Sequence, residues 1–459
     1  MRRLVAIIAL VVLAVAAAAI ADHRGSVDIT WEGLEIGTSI GMLIAALALL
    51  VVVLWLLLSL IAGAIRLPAR FRRNRRRRLG ELALTRGMTA LAAGDGDAAR
   101  RQADRAELLL GRTPLALMLA AQSAEYSGDA TAARQRYTAL LDEKEGAFLG
   151  FRGLISQELQ AGNVEEALRL AERAYQLQPN AVWAFKTLLA LQTRTGRWEA
   201  ARETLAAGAR HHLLPAAEAD HHRGAILYEL SLAAEHAGDR RRAISLASGA
   251  TGLMTDLAAP AARHARLLIA EDRRRAARRV IEEAWHKTPH PALTALWVEL
   301  GGAVPALELV PWFEKLAMHN PAAPESALAL AEAALAAQLW GEARRHLGQA
   351  VAVVPERPTR RMCLLMARLE EAEHPEQQAA TRDWFDRALT APPDPMYVCV
   401  RCGGESAEWR ALCPHCQAFD TLAWRSPAAG SASILAPAPM TVGLLPASDD
   451  LASAGQSAR

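Results

Sequence analysis

AGNVEEALRLAERAYQLQP, residues 161–179, is the stretch from which the fold can be read. Ala167, Leu170, Ala171, Ala174 and Leu177 fall on one stripe at helical spacing, with Gly162 just ahead of the helix and Pro179 just behind it. Gln338, Ala343, Ala350 and Pro355 repeat the same offsets. Working outward, Gly94, Gly128, Gly162 and Gly196 stand 34 residues apart, and alanine follows each five residues later at Ala99, Ala133, Ala167 and Ala201. After an insertion of eight residues the pair returns as Gly238 with Ala243, then as Asp272 with Ala277, Gln338 with Ala343 and His374 with Ala379.

Each residue type has a reason to recur. Glycine is cheap in the turn between two helices, alanine sits where those helices approach too closely for a larger side chain, and proline stops the second helix. A period near 34 marks tetratricopeptide repeats, which predicts about eight helix pairs over residues 81–390. The spacing breaks at "GGAVPALELVPWFEKLAMHNP", residues 301–321, and leaves the register between 250 and 330 open. Such pairs bury a continuous core by stacking and leave a curved surface that takes up partner proteins. The insertions near 209–222 and 301–325 are the candidate specificity elements. Composition agrees: 52% hydrophobic but 5% aromatic content means a core of Ala and Leu, as helices prefer. His211, His212, His221 and His222 flank "LLPAAEAD" and could present imidazoles to a haem iron or another metal; in a polar insertion, solvated histidines are the favoured reading. Trp183, Trp198, Trp285, Trp297, Trp312 and Trp340 read as core, and Cys363 as a small buried hydrophobe.

The N-terminus is of another kind. Leu4 to Ala21 gives 18 uncharged residues, about 27 Å of helix, and Ile36 to Ile65 gives 30 more. "AIA" at 19–21 has the form of a signal-peptide cleavage site, but the second uncharged run at once behind it favours a hairpin of two membrane spans, at 4–21 and 36–65. Eight arginines between Arg66 and Arg78, with Arg2 and Arg3 ahead of the first span, place both ends and the repeats on the cytoplasmic side. Residues 1–80 carry a net charge of +7 and the remainder about −4, so the basic segment 66–80 belongs to the lipid boundary, where each Arg gains about 1 kcal/mol, and not to nucleic-acid binding. Gly33, Gly37 and Gly41 have the four-residue spacing of close helix contact, between the two spans or between two copies of the chain, with a chance row half outside the bilayer as the third reading.

"MYVCVRCGGESAEWRALCPHC", residues 396–416, holds four of the five cysteines. Cys399 with Cys402 and Cys413 with Cys416 form two CxxC knuckles, the donor set of a closed tetrahedral thiolate site within a ribbon at 396–426. Zn²⁺ is the default ion and iron the alternative that the spacing leaves open. A redox dithiol would need one CxxC behind a strand of a larger α/β unit, and a haem contact through Cys413–Pro414 adds nothing that the second knuckle does not explain. Trp409, Phe419 and Trp424 are expected around the site. Residues 427–459 are Ala, Ser, Pro and Gly with few charges, a composition that does not order itself.

A two-span hairpin with a basic exit, followed by "GELALTRGMTALAAGDGDAARRQADRAELL" at 80–109 and the repeats, resembles the HemY family of bacterial inner-membrane proteins. That resemblance implies a non-enzymatic, multi-pass scaffold in the inner membrane that organises late haem (tetrapyrrole) biosynthesis enzymes and handles porphyrin. The paired knuckles behind a repeat array also resemble LapB, a regulatory adaptor of lipopolysaccharide assembly, whose chains have one span. Neither resemblance assigns a catalytic residue. The expected fold is all-α: a tetratricopeptide α-solenoid with an N-terminal two-helix transmembrane hairpin and a small C-terminal zinc-ribbon or rubredoxin-like metal module.

Overall fold

The computed structural model describes residues 26–31, 34–302, 304–354 and 357–427. The expected span at 4–21 and the tail from 428 onward lie outside the described residues. The chain divides at Gly150 into two compact units.

The first unit opens with a hairpin, β1 (Ser26–Trp31) against β2 (Leu34–Ser39), antiparallel with Trp31 opposite Leu34. Helix α1 (Ile40–Ala92) follows, then α2 (Gly96–Leu110), α3 (Pro114–Tyr126), α4 (Ala130–Leu141) and the start of α5 (Ala147–Gln160). Two sequence expectations change here. Residues 36–39 are strand, not the beginning of a span, and α1 runs without a break from Ile40 through the arginines into the first repeat. Gly37 therefore lies in β2 and Gly41 in α1, so the glycine row shares no helix face. On α1 the side chains of Leu47, Leu49, Leu50, Val51, Val53, Leu54, Trp55, Leu57 and Leu58 are each at least 44% exposed, and Val52 is half-buried. The described apolar side chains cover about 20 Å of helix, and among the described residues no helix is long and apolar enough to cross a membrane. The expected pair of spans is thus not confirmed. At the other end α1 is ordinary repeat: Ala83 packs with Ala106 and Ala116, and Leu84 and Leu91 pack against Ala103 and Leu119.

The second unit contains most of α5, then α6 (Val164–Leu177), α7 (Val182–Arg194), α8 (Trp198–Arg210), α9 (Ala216–His236), α10 (Arg240–Leu253), α11 (Ala258–Ala270), α12 (Arg274–Lys287), α13 (Pro291–Gly301), α14 (Ala306–Ala317), α15 (Pro324–Ala336), α16 (Trp340–Val353), α17 (Arg360–Glu373) and α18 (Gln378–Thr390). A three-stranded antiparallel sheet closes it, in the order β4 (Glu405–Ser406), β3 (Met396–Cys399), β5 (Leu422–Arg425). Taken consecutively, the described helices make nine pairs, one more than the spacing suggested.

The 34-residue ruler has a backbone cause. Gly94, Gly128, Gly162, Gly196 and Gly238 take φ between 71° and 81°, and Asp272 and Gln338 take φ of 54° and 57° in the same place. The next residue caps the following helix: Asp95, Asp129 and Asp239 each accept a backbone N–H three residues on, from Ala98, Ala132 and Arg242. The alanine of each copy, Ala99 through Ala343, is fully buried. The copy assigned to His374 and Ala379 departs, because His374 has φ −135° and Ala379 is exposed. Between 290 and 320 the irregular pair is held by two tryptophans. Trp297 and Trp312 stack with ring centroids 4.8 Å apart, and each Nε1–H donates to the other's carbonyl at 3.1 Å.

Ala277 shares one core with Ile281, Trp285, Leu293 and Trp297. Ala277→Leu adds three carbons where none fits and should cost about 1–3 kcal/mol, read as a lower unfolding midpoint in urea. At the end of the array the first turn of α17 fixes the chain that leads to the sheet. Arg360 N–H donates to Pro392 O at 3.1 Å and Arg361 N–H to Asp394 Oδ1 at 3.0 Å. The Arg361 guanidinium is itself tied to Glu325 and Glu332, each at 2.9 Å.

Candidate metal centre

Each cysteine knuckle is a tight backbone turn of the same form. In the first, Gly403 N–H donates to Cys399 O at 2.9 Å, and in the second Gln417 N–H donates to Cys413 O at 2.9 Å. Gly403 and Gln417, both four residues past the first cysteine of their knuckle, take φ of 72° and 56°. Gly404 has to be small: a Cβ there would lie 2.5 Å from the His415 ring. The turns bring four sulfurs together, all within 4.8 Å of one another. Cys399 and Cys416 Sγ are 3.8 Å apart, and Cys402 and Cys413 Sγ are 3.7 Å apart. A tetrahedron with metal–sulfur bonds of about 2.3 Å has edges of about 3.8 Å, so the donor set fits a single thiolate-bound ion.

Charge supports the same reading. Burial pushes the Cys399 thiol up, but the Thr421 hydroxyl and the backbone N–H groups of Cys402 and Arg401 outweigh it and bring it to about 6. Cys416 goes the other way, to about 12, through burial and the neighbouring sulfurs. Four thiolates at this separation repel one another, and a dication at their centre removes the conflict. Gly404 N–H donates to Cys402 Sγ at 3.4 Å, an outer-shell bond of the kind that orients such ligands.

What sequence reasoning missed is where the ribbon sits. It packs onto the middle of the array, with Tyr397, Trp409, Ala411 and Leu422 in one core with Ala225, Met254 and Leu257. His221 and His222 belong to α9, and both Nδ1 atoms lie 2.7 Å from Asp420 Oδ2. The Asp420 side chain is 2% exposed and the two histidines are half-buried against it, so they are engaged partners and not freely solvated, contrary to the expectation; His211 and His212 are exposed, as expected. Nearby, Glu229 Oε1 accepts the Ala411 N–H at 3.0 Å, and the Tyr228 and Trp409 rings meet edge to face at 4.9 Å. His290 packs against Trp424 at 4.0 Å between centroids. Burial drives His290 down to about 4, and its Nδ1 accepts Ala292 N–H, so Nε2 carries the proton opposite Tyr397 Oη at 3.3 Å. Trp409, Phe419 and Trp424 thus face the array as well as the knuckles. Cys363 is buried in α17, as expected.

The Asp420 clasp has a pH signature. Burial raises the Asp420 carboxyl, but the two imidazole hydrogen bonds outweigh it and hold it below its ordinary 3.8. His221 is raised above 6.5, chiefly by that hydrogen bond, with burial opposing. The carboxylate contribution is present above pH 3.8 and lost on acidification, whereas the His221 contribution is full below pH 6.5 and lost as pH rises through its raised value. Amide exchange over 216–236, corrected for its intrinsic pH dependence, should therefore quicken as pH rises above 6.5 through the raised value, and His221→Gln should abolish that rise.

Comparison with known proteins follows this architecture. Residues 25–128 match the family described as HemY protein N-terminus, 158–219 the tetratricopeptide repeat, and 397–423 the rubredoxin metal binding domain of LapB type. The probable magnetosome protein Mms48 of Magnetospirillum gryphiswaldense is 26% identical over 423 residues, which cover 91% of this chain and 92% of its own. Among solved structures, Naa15/Naa10 bound to HypK-THB matches with TM-score 0.34 and 14% identity over 67% of this chain, which spans 58% of that one. The TPR2AB domain of yeast Sti1 in its pHSP90 complex matches with TM-score 0.27 and 11% identity, covering 68% of this chain and 98% of its own. The resemblances read from the residues hold: this chain carries, in order, a HemY-type N-terminal region, tetratricopeptide repeats and a LapB-type rubredoxin metal-binding module.

Proposed function

We propose that this protein is a non-catalytic adaptor, anchored in the bacterial inner membrane, that collects partner proteins on its repeats. The observation that carries the reading is α1. An apolar, exposed helical stretch continues without a break into the first tetratricopeptide pair, so whatever the array holds is held at the surface that helix enters. On this reading the uncharged segment to Ile65 lies in lipid, the arginines from Arg66 to Arg78 stay on the cytoplasmic side, and the repeats face the cytoplasm. Cys399, Cys402, Cys413 and Cys416 hold one Zn²⁺, which acts as a structural ion with no open coordination position.

The partners are late haem-biosynthesis enzymes, a role supported by the HemY-type region over 25–128. A second reading, a regulatory adaptor of lipopolysaccharide assembly, is favoured by the rubredoxin module at 397–423. Cross-linking in intact cells, purification of the full chain in detergent and mass spectrometry separate the two. Recovery of tetrapyrrole enzymes supports the first, and recovery of lipopolysaccharide enzymes or a membrane protease replaces it with the second. Substrate turnover by the chain freed of all bound proteins would overturn both.

A further inference from the structure

Between α10, α11 and α12 lies a cavity of about 500 Å³ whose polar lining is Arg241, Ser245, Ser248, His264, Arg273 and Arg279, with aliphatic side chains such as Ile244 and Leu268 for the rest. No carboxylate lines it. It shares Ser248, His264, Arg279 and Val280 with a neighbouring cavity of about 760 Å³ that extends toward Met254 and Leu257 and is also bordered by Glu282, Glu283 and Lys287.

Several adjacent arginines are already engaged. Arg240 pairs with Glu271 at 3.1 Å, Arg242 with Glu199 at 2.5 Å and Arg278 with Glu282 at 2.8 Å, while Arg274 donates to Leu300 O at 2.8 Å. Among the described residues no carboxylate pairs with Arg241, Arg273 or Arg279, and these three guanidiniums are the ones that line the cavity. An independent sign comes from the wall between them. His264 is 9% exposed and its Nδ1 has no hydrogen-bond partner. It stays neutral, held down first by burial and then by the charge of Arg273. Arg241, Arg273 and Arg279 are exposed, so the cavity is an open, cationic recess beside a buried imidazole, and an anion seated there would meet three guanidiniums that no carboxylate neutralises.

We infer that this cavity binds a phosphate-bearing small molecule. Three guanidinium forks and two serine hydroxyls offer more donors than the two oxygens of a carboxylate can accept, and they suit the several oxygens and double charge of a phosphate or pyrophosphate. The aliphatic wall leaves room for an apolar body, so the phosphate is that of a soluble ester or of a lipid headgroup. This site is independent of the adaptor reading above.

The test is calorimetric titration of inorganic pyrophosphate into the full chain in neutral detergent. A parallel competition uses phosphatidylcholine vesicles with and without phosphatidic acid. The triple variant Arg241→Ala, Arg273→Ala, Arg279→Ala should weaken pyrophosphate at least tenfold. Arg275→Ala, an exposed arginine on α12 outside the lining, should leave it unchanged. Alanine suits the three helical positions, Arg273 makes no side-chain capping bond at the N-cap of α12, and an unaltered melting curve checks the fold. Displacement of pyrophosphate only by vesicles with phosphatidic acid assigns the lipid source, and failure of displacement assigns the soluble one. Equal binding to the triple variant, or binding of a glutamate-rich peptide where neither pyrophosphate nor phosphatidic acid binds, would overturn the assignment.

Discussion

The Cys413→Ala variant is expected to lose both the bound ion and the folded state of residues 396–425. Three sulfurs would remain of a set whose measured edges, 3.7 and 3.8 Å, match a closed tetrahedron. A ribbon of this size has too little core of its own, and structural zinc supplies on the order of 10–16 kcal/mol of apparent folding free energy to such modules. Metal analysis after dialysis against a chelator should fall from about one ion per chain to none, with amide protection lost across β3 and β5. Cys363→Ala is the control: that thiol is fully buried in α17, away from the cluster, and its loss should leave the metal content unchanged. Retention of one ion per chain by Cys413→Ala would show that the ion is held elsewhere.

Asp420→Ala should act differently, detaching the ribbon and leaving it folded. Removing this buried carboxylate leaves two imidazole Nδ1–H donors on α9 without their acceptor, 2.7 Å from where it stood. Truncating one partner of a desolvated, charge-assisted contact costs about 2–5 kcal/mol, much of it the penalty for the groups left behind. Asp420→Asn keeps one acceptor oxygen and should lose less. The expected outcome is faster amide exchange over 216–236 with metal content intact. Protection equal to the native chain would mean that the aromatic contacts of Trp409, Phe419 and Trp424 hold the ribbon alone.

Much of this architecture was legible in the sequence because its causes are local. A left-handed residue, a cap and a fully buried alanine recur at fixed offsets, and any one of them betrays the period. The aspartate caps at Asp95, Asp129 and Asp239 follow their glycines directly and could have been read as well. The cysteine knuckles are local too, since each is one turn. The clasp was not legible: 199 residues separate His221 from Asp420, and no periodic signal links them. Seen alone, two histidine pairs in a polar insertion look solvated, and only the tertiary fold makes half of them partners of a buried carboxylate. Between 290 and 320 the pattern failed because the mutual Trp297–Trp312 bonds replace the usual glycine and alanine, a substitution that spacing cannot reveal. The start of α1 was misplaced because the uncharged residues 36–39 at the end of β2 read alike as strand or helix.

The central claim is that the metal module is a built-in part of the repeat array and not a separate appendage. Hydrogen exchange on the full chain with and without a chelator tests it most directly. Stripping the ion should speed exchange in 396–425 and, in the same step, in 216–236 of α9, because the carboxylate that engages His221 and His222 leaves with the ribbon. If exchange rises in the ribbon while α9 keeps its native protection, the two are energetically independent and the account is wrong.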